Sequence, residues 1–66
     1  MNNIKFLREN MGLSQTELAR LINVSQQSVA KWENGVSSPR TDKLPEIAKV
    51  LNCEISDLFK HESEVK

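Results

Sequence analysis

Between Ser14 and Gly35 the chain reads SQTELARLINVSQQSVAKWENG, and two helical signals in it are separated by no more than Asn23-Val24. Ser14 stands three residues before Glu17, the spacing at which a hydroxyl and a carboxylate cap a helix start reciprocally. Leu18, Ala19 and Ile22 then share one face. Ser25 caps the next run, which carries Val29 and Trp32 at i, i+3 on its inner side. Gly35 occupies the position just past a helix where a left-handed residue ends it. Asn23, at the break, is of the residue type that tolerates left-handed backbone best after glycine. A small residue, a turn residue and a branched apolar residue in that order (Ala19, Asn23, Val29) describe two helices crossing steeply over a short turn. Such a corner needs a helical core to rest on, and that requirement organises the rest of the chain.

The flanking segments supply helices. Asn2 or Asn3 can cap a first helix whose inward residues are Ile4, Leu7 and Met11, and Gly12 ends it. VSSPR is a loop by composition. A fourth helix places Leu44, Ile47, Ala48 and Leu51 at i, i+3, i+4, i+7. Thr41 is its candidate cap. Pro45 would lose one backbone bond and crowd the Thr41 carbonyl, which moves the start toward Leu44. A short fifth helix spans Ile55 to Phe59, with Glu54 or Ser56 near its start. No run alternates apolar and polar as a strand would. The expectation is an all-α, compact five-helix domain over residues 1–60, followed by a flexible charged tail at 61–66.

Size and composition remove whole classes of function. A chain of 66 residues is one domain at most. A domain this small buries only about 60% of the surface its unfolded chain exposes, so its apolar residues must go inside or against a partner subunit. The single cysteine, Cys53, has no partner for an internal disulfide, and with the single histidine, His61, cannot close a tetrahedral zinc site. A small chain without a disulfide framework fits a reducing compartment, most simply the cytoplasm. MNNIKFLREN lacks the apolar run of a signal peptide or membrane span. No nucleophile, base and orienter set and no phosphate loop is present, so no catalytic residue, cofactor or small-molecule ligand is expected. Nine basic and nine acidic residues leave a formal charge of zero, so a nucleic acid would have to be engaged by a local face.

The outer side of the third helix offers such a face: Gln26, Gln27, Ala30 and Lys31, with Ser28 at the flank. A glutamine amide carries a donor and an acceptor and can bond adenine N6 and N7 together. Lys31 can reach guanine O6/N7 or a phosphate, and Ala30 is small enough to lie against a thymine methyl. Each good bidentate pair discriminates by roughly 1–3 kcal/mol. Helix N-termini offer free N–H groups to phosphate, and Gln15 sits where its amide could join them. Arg40, beside Pro39, could grip a phosphate or enter a minor groove. The competing reading of Gln26, Gln27 and Lys31 is an ordinary solvated helix face. Trp32 is read as core, anchoring the third helix.

These residues resemble the helix-turn-helix of the phage-repressor type, the lambda-repressor-like or Cro/XRE family. The resemblance runs from Ile4 to Phe59. It rests on GLSQxELA (Gly12–Ala19), VSQQSVAKWENG (Val24–Gly35), PRxDKLxEIAKxL (Pro39–Leu51) and ISDLF (Ile55–Phe59), in order and at family spacing. It implies a five-helix lambda-repressor-like domain with the third helix as recognition helix. Family positions for base contact fall on Gln26, Gln27 and Lys31, and those for phosphate contact on Gln15, Ser28, Asn34 and Arg40. It also implies a structural pair between Arg8 and Glu33, and a small apolar residue, hence buried packing, where Cys53 stands. The function implied is a sequence-specific regulator of transcription, a repressor on double-stranded DNA. It would act as a symmetric homodimer on an inverted repeat with half-sites about 34 Å apart, its fifth helix and flanks forming the dimer surface. Leu21 and Phe6 stand where the family often has charge. With the neutral balance, they motivate the alternative of a protein-interaction module of the same fold, such as an antitoxin or repressor modulator.

Overall fold

A computed structural model of the chain describes residues 3–59. Among them the chain forms four α-helices and no strand: α1 (Ile4–Asn10), α2 (Gln15–Leu21), α3 (Gln26–Glu33) and α4 (Leu44–Val50). Two 3₁₀ segments, Thr41–Lys43 and Ile55–Phe59, stand before and after α4.

All four helices stop in the same way. Gly12, Asn23, Gly35 and Asn52 each follow a helix with positive φ, at 73°, 61°, 75° and 55°. In each case the next residue donates its N–H back across the last turn: Leu13 to Arg8, Val24 to Ala19, Val36 to Lys31 and Cys53 to Ala48, at 2.9–3.1 Å. The left-handed residue itself bonds one carbonyl further on, which completes the Schellman arrangement and satisfies carbonyls that the helix leaves orphaned. Asparagine serves this position twice because its short polar side chain lowers the cost of left-handed backbone.

The helix starts are less uniform. Ser14 accepts from Glu17 N–H at 3.0 Å while the Glu17 carboxylate accepts from Ser14 N–H at 2.8 Å, the reciprocal box expected from the spacing. Ser25 accepts from Ser28 N–H at 3.1 Å and caps α3. Asn3 precedes α1 but its side chain makes no cap bond. It is fully buried, and its Nδ2 donates to the Asp57 carbonyl at 2.7 Å, joining the start of α1 to the last 3₁₀ segment. Thr41 does not cap α4 either. It opens the 3₁₀ turn, and α4 begins at Leu44 with Pro45 in its first turn, where the missing N–H costs nothing.

The core is Ile4, Leu7, Leu18, Ala19, Ile22, Val29, Trp32, Ile47, Ala48, Leu51 and Leu58. α2 packs on α3, α1 on α3, and α4 on the last 3₁₀ segment. Met11, expected inward, is 45% exposed because α1 ends at Asn10 and Gly12 turns the chain away before the next helical position can face the core. Cys53 is half-buried against the core rather than enclosed.

The expected fifth helix is a 3₁₀ segment of five residues. It starts straight after the Asn52 turn. Asp57 N–H bonds Glu54 C=O at 3.0 Å and the Asp57 carboxylate accepts from Glu54 N–H at 3.0 Å, so the chain closes into i→i+3 turns. So short a piece forms too few i→i+4 bonds to offset nucleation of an α-helix. No helix among the described residues is long and apolar enough to cross a membrane. Asn2, His61 and the charged tail at 61–66 lie outside the described residues.

Candidate nucleic-acid interface

α3 is two-sided. Its rear carries Val29, fully buried, and Trp32, 6% exposed, and both sit in the core. Its front carries Gln26, Gln27 and Lys31, all exposed, with Ala30 and Ser28 half-buried between and beside them. Asn34, the C-terminal cap residue of α3, is exposed as well. Ser28 is tied to the cap by its N–H and by its hydroxyl, which lies 2.9 Å from that of Ser25.

A polar chain runs from the interior to this front. Arg8, on α1, donates Nε to Glu33 Oε2 at 2.7 Å and Nη2 to Glu33 Oε1 at 3.1 Å. Its Nη1 donates to the Leu13 carbonyl at 2.7 Å. The two side chains are only 8% and 2% exposed, so the pair lies out of water and fixes α1 on α3. The bond to Glu33 holds the Arg8 guanidinium above its ordinary pKa, against the opposing effect of burial. Glu33 Oε1 also accepts from Gln15 Nε2 at 2.9 Å, and Gln15 Oε1 accepts from Gln26 Nε2 at 2.7 Å.

The chemistry of that chain fixes its direction. An ionised carboxylate only accepts, so Gln15 must turn its NH₂ to Glu33 and its carbonyl to Gln26. Gln26 must then give one N–H to Gln15. What it presents outward is its carbonyl oxygen and its second N–H, one acceptor beside one donor. The residues read from the sequence as separate contacts at Gln15 and Gln26, and the pair Arg8–Glu33, are therefore one hydrogen-bonded unit. The sequence reading gave Gln15 only an outward role. The structure leaves it half-buried, with one amide N–H uncommitted.

Arg40 is apart from this unit. It lies on the loop before the Thr41–Lys43 turn, 86% exposed, with Asp42 at 3.8 Å across an equally open surface. Lys43 was not singled out in the sequence. It donates Nζ to the Ile22 carbonyl at 3.0 Å and lies 3.5 Å from Glu46. A lysine just ahead of a helix carries no sequence signal for such a bond. Elsewhere, Leu21 is 58% exposed, while Phe6 is half-buried against the core. Ile55 and Phe59, 40% and 59% exposed, stand on the last 3₁₀ segment, where Ile55 lines a shallow groove with Pro45, Ala48 and Cys53.

Three comparisons bear on what this arrangement is for. The family model described as helix-turn-helix matches residues 4–58. Antitoxin PezA of Streptococcus pneumoniae is 38% identical over 56 residues, 85% of this chain and 35% of that protein. The HTH-type transcriptional regulator DicA of Escherichia coli is 38% identical over 50 residues, 76% of this chain and 37% of that protein. The chain thus spans about a third of the length of these two relatives. Among solved structures, the SOS-response transcriptional repressor LexA from Eubacterium rectale superposes with a TM-score of 0.81 at 28% identity, covering 97% of this chain and 68% of that one.

Proposed function

Since the chain belongs to the helix-turn-helix family of the Cro/C1 type, we propose that it is a sequence-specific double-stranded DNA-binding regulator of transcription, and a repressor. α3 enters the major groove and α2 crosses the backbone above it. The observation that carries this reading is the exposed donor–acceptor pair of Gln26, aimed by Gln15 from the neighbouring helix. Gln26 then takes adenine, its oxygen accepting from N6 and its free N–H donating to N7. Gln27 and Lys31 read adjacent base edges from the same exposed face. Gln15, Ser28, Asn34 and Arg40 hold the phosphates, Gln15 through its uncommitted N–H. Occupation of the operator blocks transcription sterically. No step of this mechanism calls for catalysis, cofactor or metal, and it takes place in the cytoplasm, where the DNA is.

One copy reads one face of the duplex. The described residues measure 28 Å along their longest axis, less than the roughly 34 Å between half-sites one turn apart. A homodimer on an inverted repeat is the assembly proposed to read both half-sites, and exposed Ile55 and Phe59 support pairing along the last 3₁₀ segment. The domain would comprise residues 1–60.

Selection of bound sequences from a random duplex pool tests the reading. The expected product is a motif with inverted symmetry that is bound far more tightly than scrambled duplex as salt rises. Absence of binding to any duplex at low salt would remove the proposal in favour of a protein-binding module, the reading to which the antitoxin relative points.

A further inference from the structure

The Schellman turn after α2 pairs the carbonyls of Ala19 and Arg20 with Val24 and Asn23 N–H, and the Ile22 carbonyl is taken by Lys43 Nζ at 3.0 Å. Lys43 is not a surface lysine in passing contact. Its side chain is 24% exposed, and the Glu46 carboxylate also lies 3.5 Å from the ammonium. The same residue is bonded to Arg40 through the backbone, Lys43 N–H donating to Arg40 C=O at 2.9 Å. A continuous path therefore runs from the corner between α2 and α3, through the lysine, to the backbone of Arg40.

The loop that carries Arg40 has two anchors. At its start Val36 N–H bonds Lys31 C=O at 2.9 Å, on the last turn of α3, and Ser37 N–H adds a longer bond to the same carbonyl at 3.4 Å. At its end stands Lys43. Between these anchors Ser38 is exposed and Pro39 half-buried, so packing does little to fix the loop around Arg40. We infer that Lys43 is a positioning residue, whose bond to the Ile22 carbonyl sets the Arg40 loop at a fixed distance from the recognition helix, so that α3 and Arg40 grip the duplex as one clamp. The lysine does not touch DNA. It acts by sparing the loop the cost of being ordered when the duplex binds. This inference rests on the assignment of Arg40 to the duplex made above.

A double-mutant cycle tests it, using the full chain and the duplex selected from the random pool, with wild-type binding to that duplex as the control for the DNA reading itself. Affinities of wild type, Lys43→Met, Arg40→Ala and the double variant are measured well below the lowest of their melting temperatures. The expected result is that Lys43→Met weakens binding in the wild-type background and loses most of that effect once Arg40 is gone, a departure from multiplicativity of about threefold or more. Gln27→Ala serves as the comparison background, where the Lys43→Met effect persists in full. Losses that simply multiply with Arg40→Ala would overturn the inference and leave Lys43 as a helix cap. So would an Arg40→Ala variant that binds as wild type, an outcome that removes the Arg40 contact while leaving α3 as reader. Lys43→Gln, which keeps much of the stem, is carried through the same cycle in case Lys43→Met does not fold.

Discussion

Gln15 Oε1 accepts from Gln26 Nε2 at 2.7 Å, so a residue at the start of α2 determines how a residue at the start of α3 faces outward. Without that bond Gln26 keeps its amide but loses its orientation, and either end can meet a base. Gln15→Ala is therefore expected to weaken binding to the selected duplex and to relax preference at the base pair read by Gln26, by roughly 1–3 kcal/mol. Gln26→Ala should relax the same base pair and no other. Affinities for duplexes substituted one position at a time distinguish this from a general loss. Unchanged preference in Gln15→Ala would mean that the glutamine pair aims nothing.

The clamp is poor in charge. Of the residues assigned to the duplex, Lys31 and Arg40 alone are cationic, and the whole chain is neutral. Counterion release then predicts that log K falls with log salt with a slope near −2 per copy, about −0.9 for each neutralised phosphate, if both reach phosphates. Lys31→Ala separates its two roles. A phosphate contact lowers the slope by about 1 and weakens every sequence alike, whereas a guanine contact relaxes one position. A slope several times steeper would mean that other cations bind the backbone.

The Arg8–Glu33 pair separates stability from recognition. Arg8→Met leaves the Glu33 carboxylate buried without its counter-ion and is expected to cost about 3–5 kcal/mol in urea denaturation. Arg8→Met together with Glu33→Leu removes both charges, and replacements of that kind are often neutral or stabilising by about 1–4 kcal/mol. The doubly substituted chain should fold well yet discriminate poorly at the Gln26 position, because Gln15 no longer has a carboxylate to turn its NH₂ toward. Full discrimination in that stable variant would break the link drawn between the buried pair and the reading face.

Much of this architecture is written in short local patterns. The Ser14–Glu17 box, the Ser25 cap, Gly12, Asn23 and Gly35 are each a residue type that one backbone geometry demands, and the inward positions of α2 and α3 follow from helical spacing. What escaped the sequence was long-range or cooperative. Asn3 has the chemistry of a cap but bonds Asp57, 54 residues away, and nothing local announces that. Ile55–Phe59 has helical composition but lacks the length to propagate. The Gln15–Gln26 and Lys43–Ile22 bonds join segments 11 and 21 residues apart, and only packing brings them together. Gln26, Gln27 and Lys31 were legible as a polar face, whereas the direction of the Gln26 amide needed the buried carboxylate behind it.

Acid should loosen the start of α2. The Glu17 carboxyl is held below its ordinary value of 4.5, first by the Ser14 backbone N–H and then by the Ser14 hydroxyl. A carboxyl whose folded value is depressed contributes stability above its unfolded value, and that contribution disappears as pH falls through the folded one. The difference in urea midpoint between wild type and Glu17→Gln is thus expected to hold steady near neutrality and to close below pH 4.5. Ser14→Ala should cost about 1 kcal/mol, as the loss of an N-cap does. A gap between wild type and Glu17→Gln that survives into strong acid would show that the box is not electrostatic in origin.

The proposed pairing of two copies along the last 3₁₀ segment makes its own demand on the surface. Ile55 and Phe59 are 40% and 59% exposed, and two large apolar side chains left in water are stabilised by covering one another across a two-fold axis. The segment packs on α4, whereas α3 packs on α1 and α2, so a charge placed there is expected to disturb pairing before it disturbs reading. Phe59→Lys is expected to lower the sedimentation-derived association constant by two charges' repulsion plus the lost apolar contact. It should weaken binding to the full inverted repeat far more than to a single half-site. Equal weakening of both duplexes would assign Phe59 to the fold instead, and no weakening of either would move the dimer contact elsewhere, with the exposed Leu21 as the next surface to substitute.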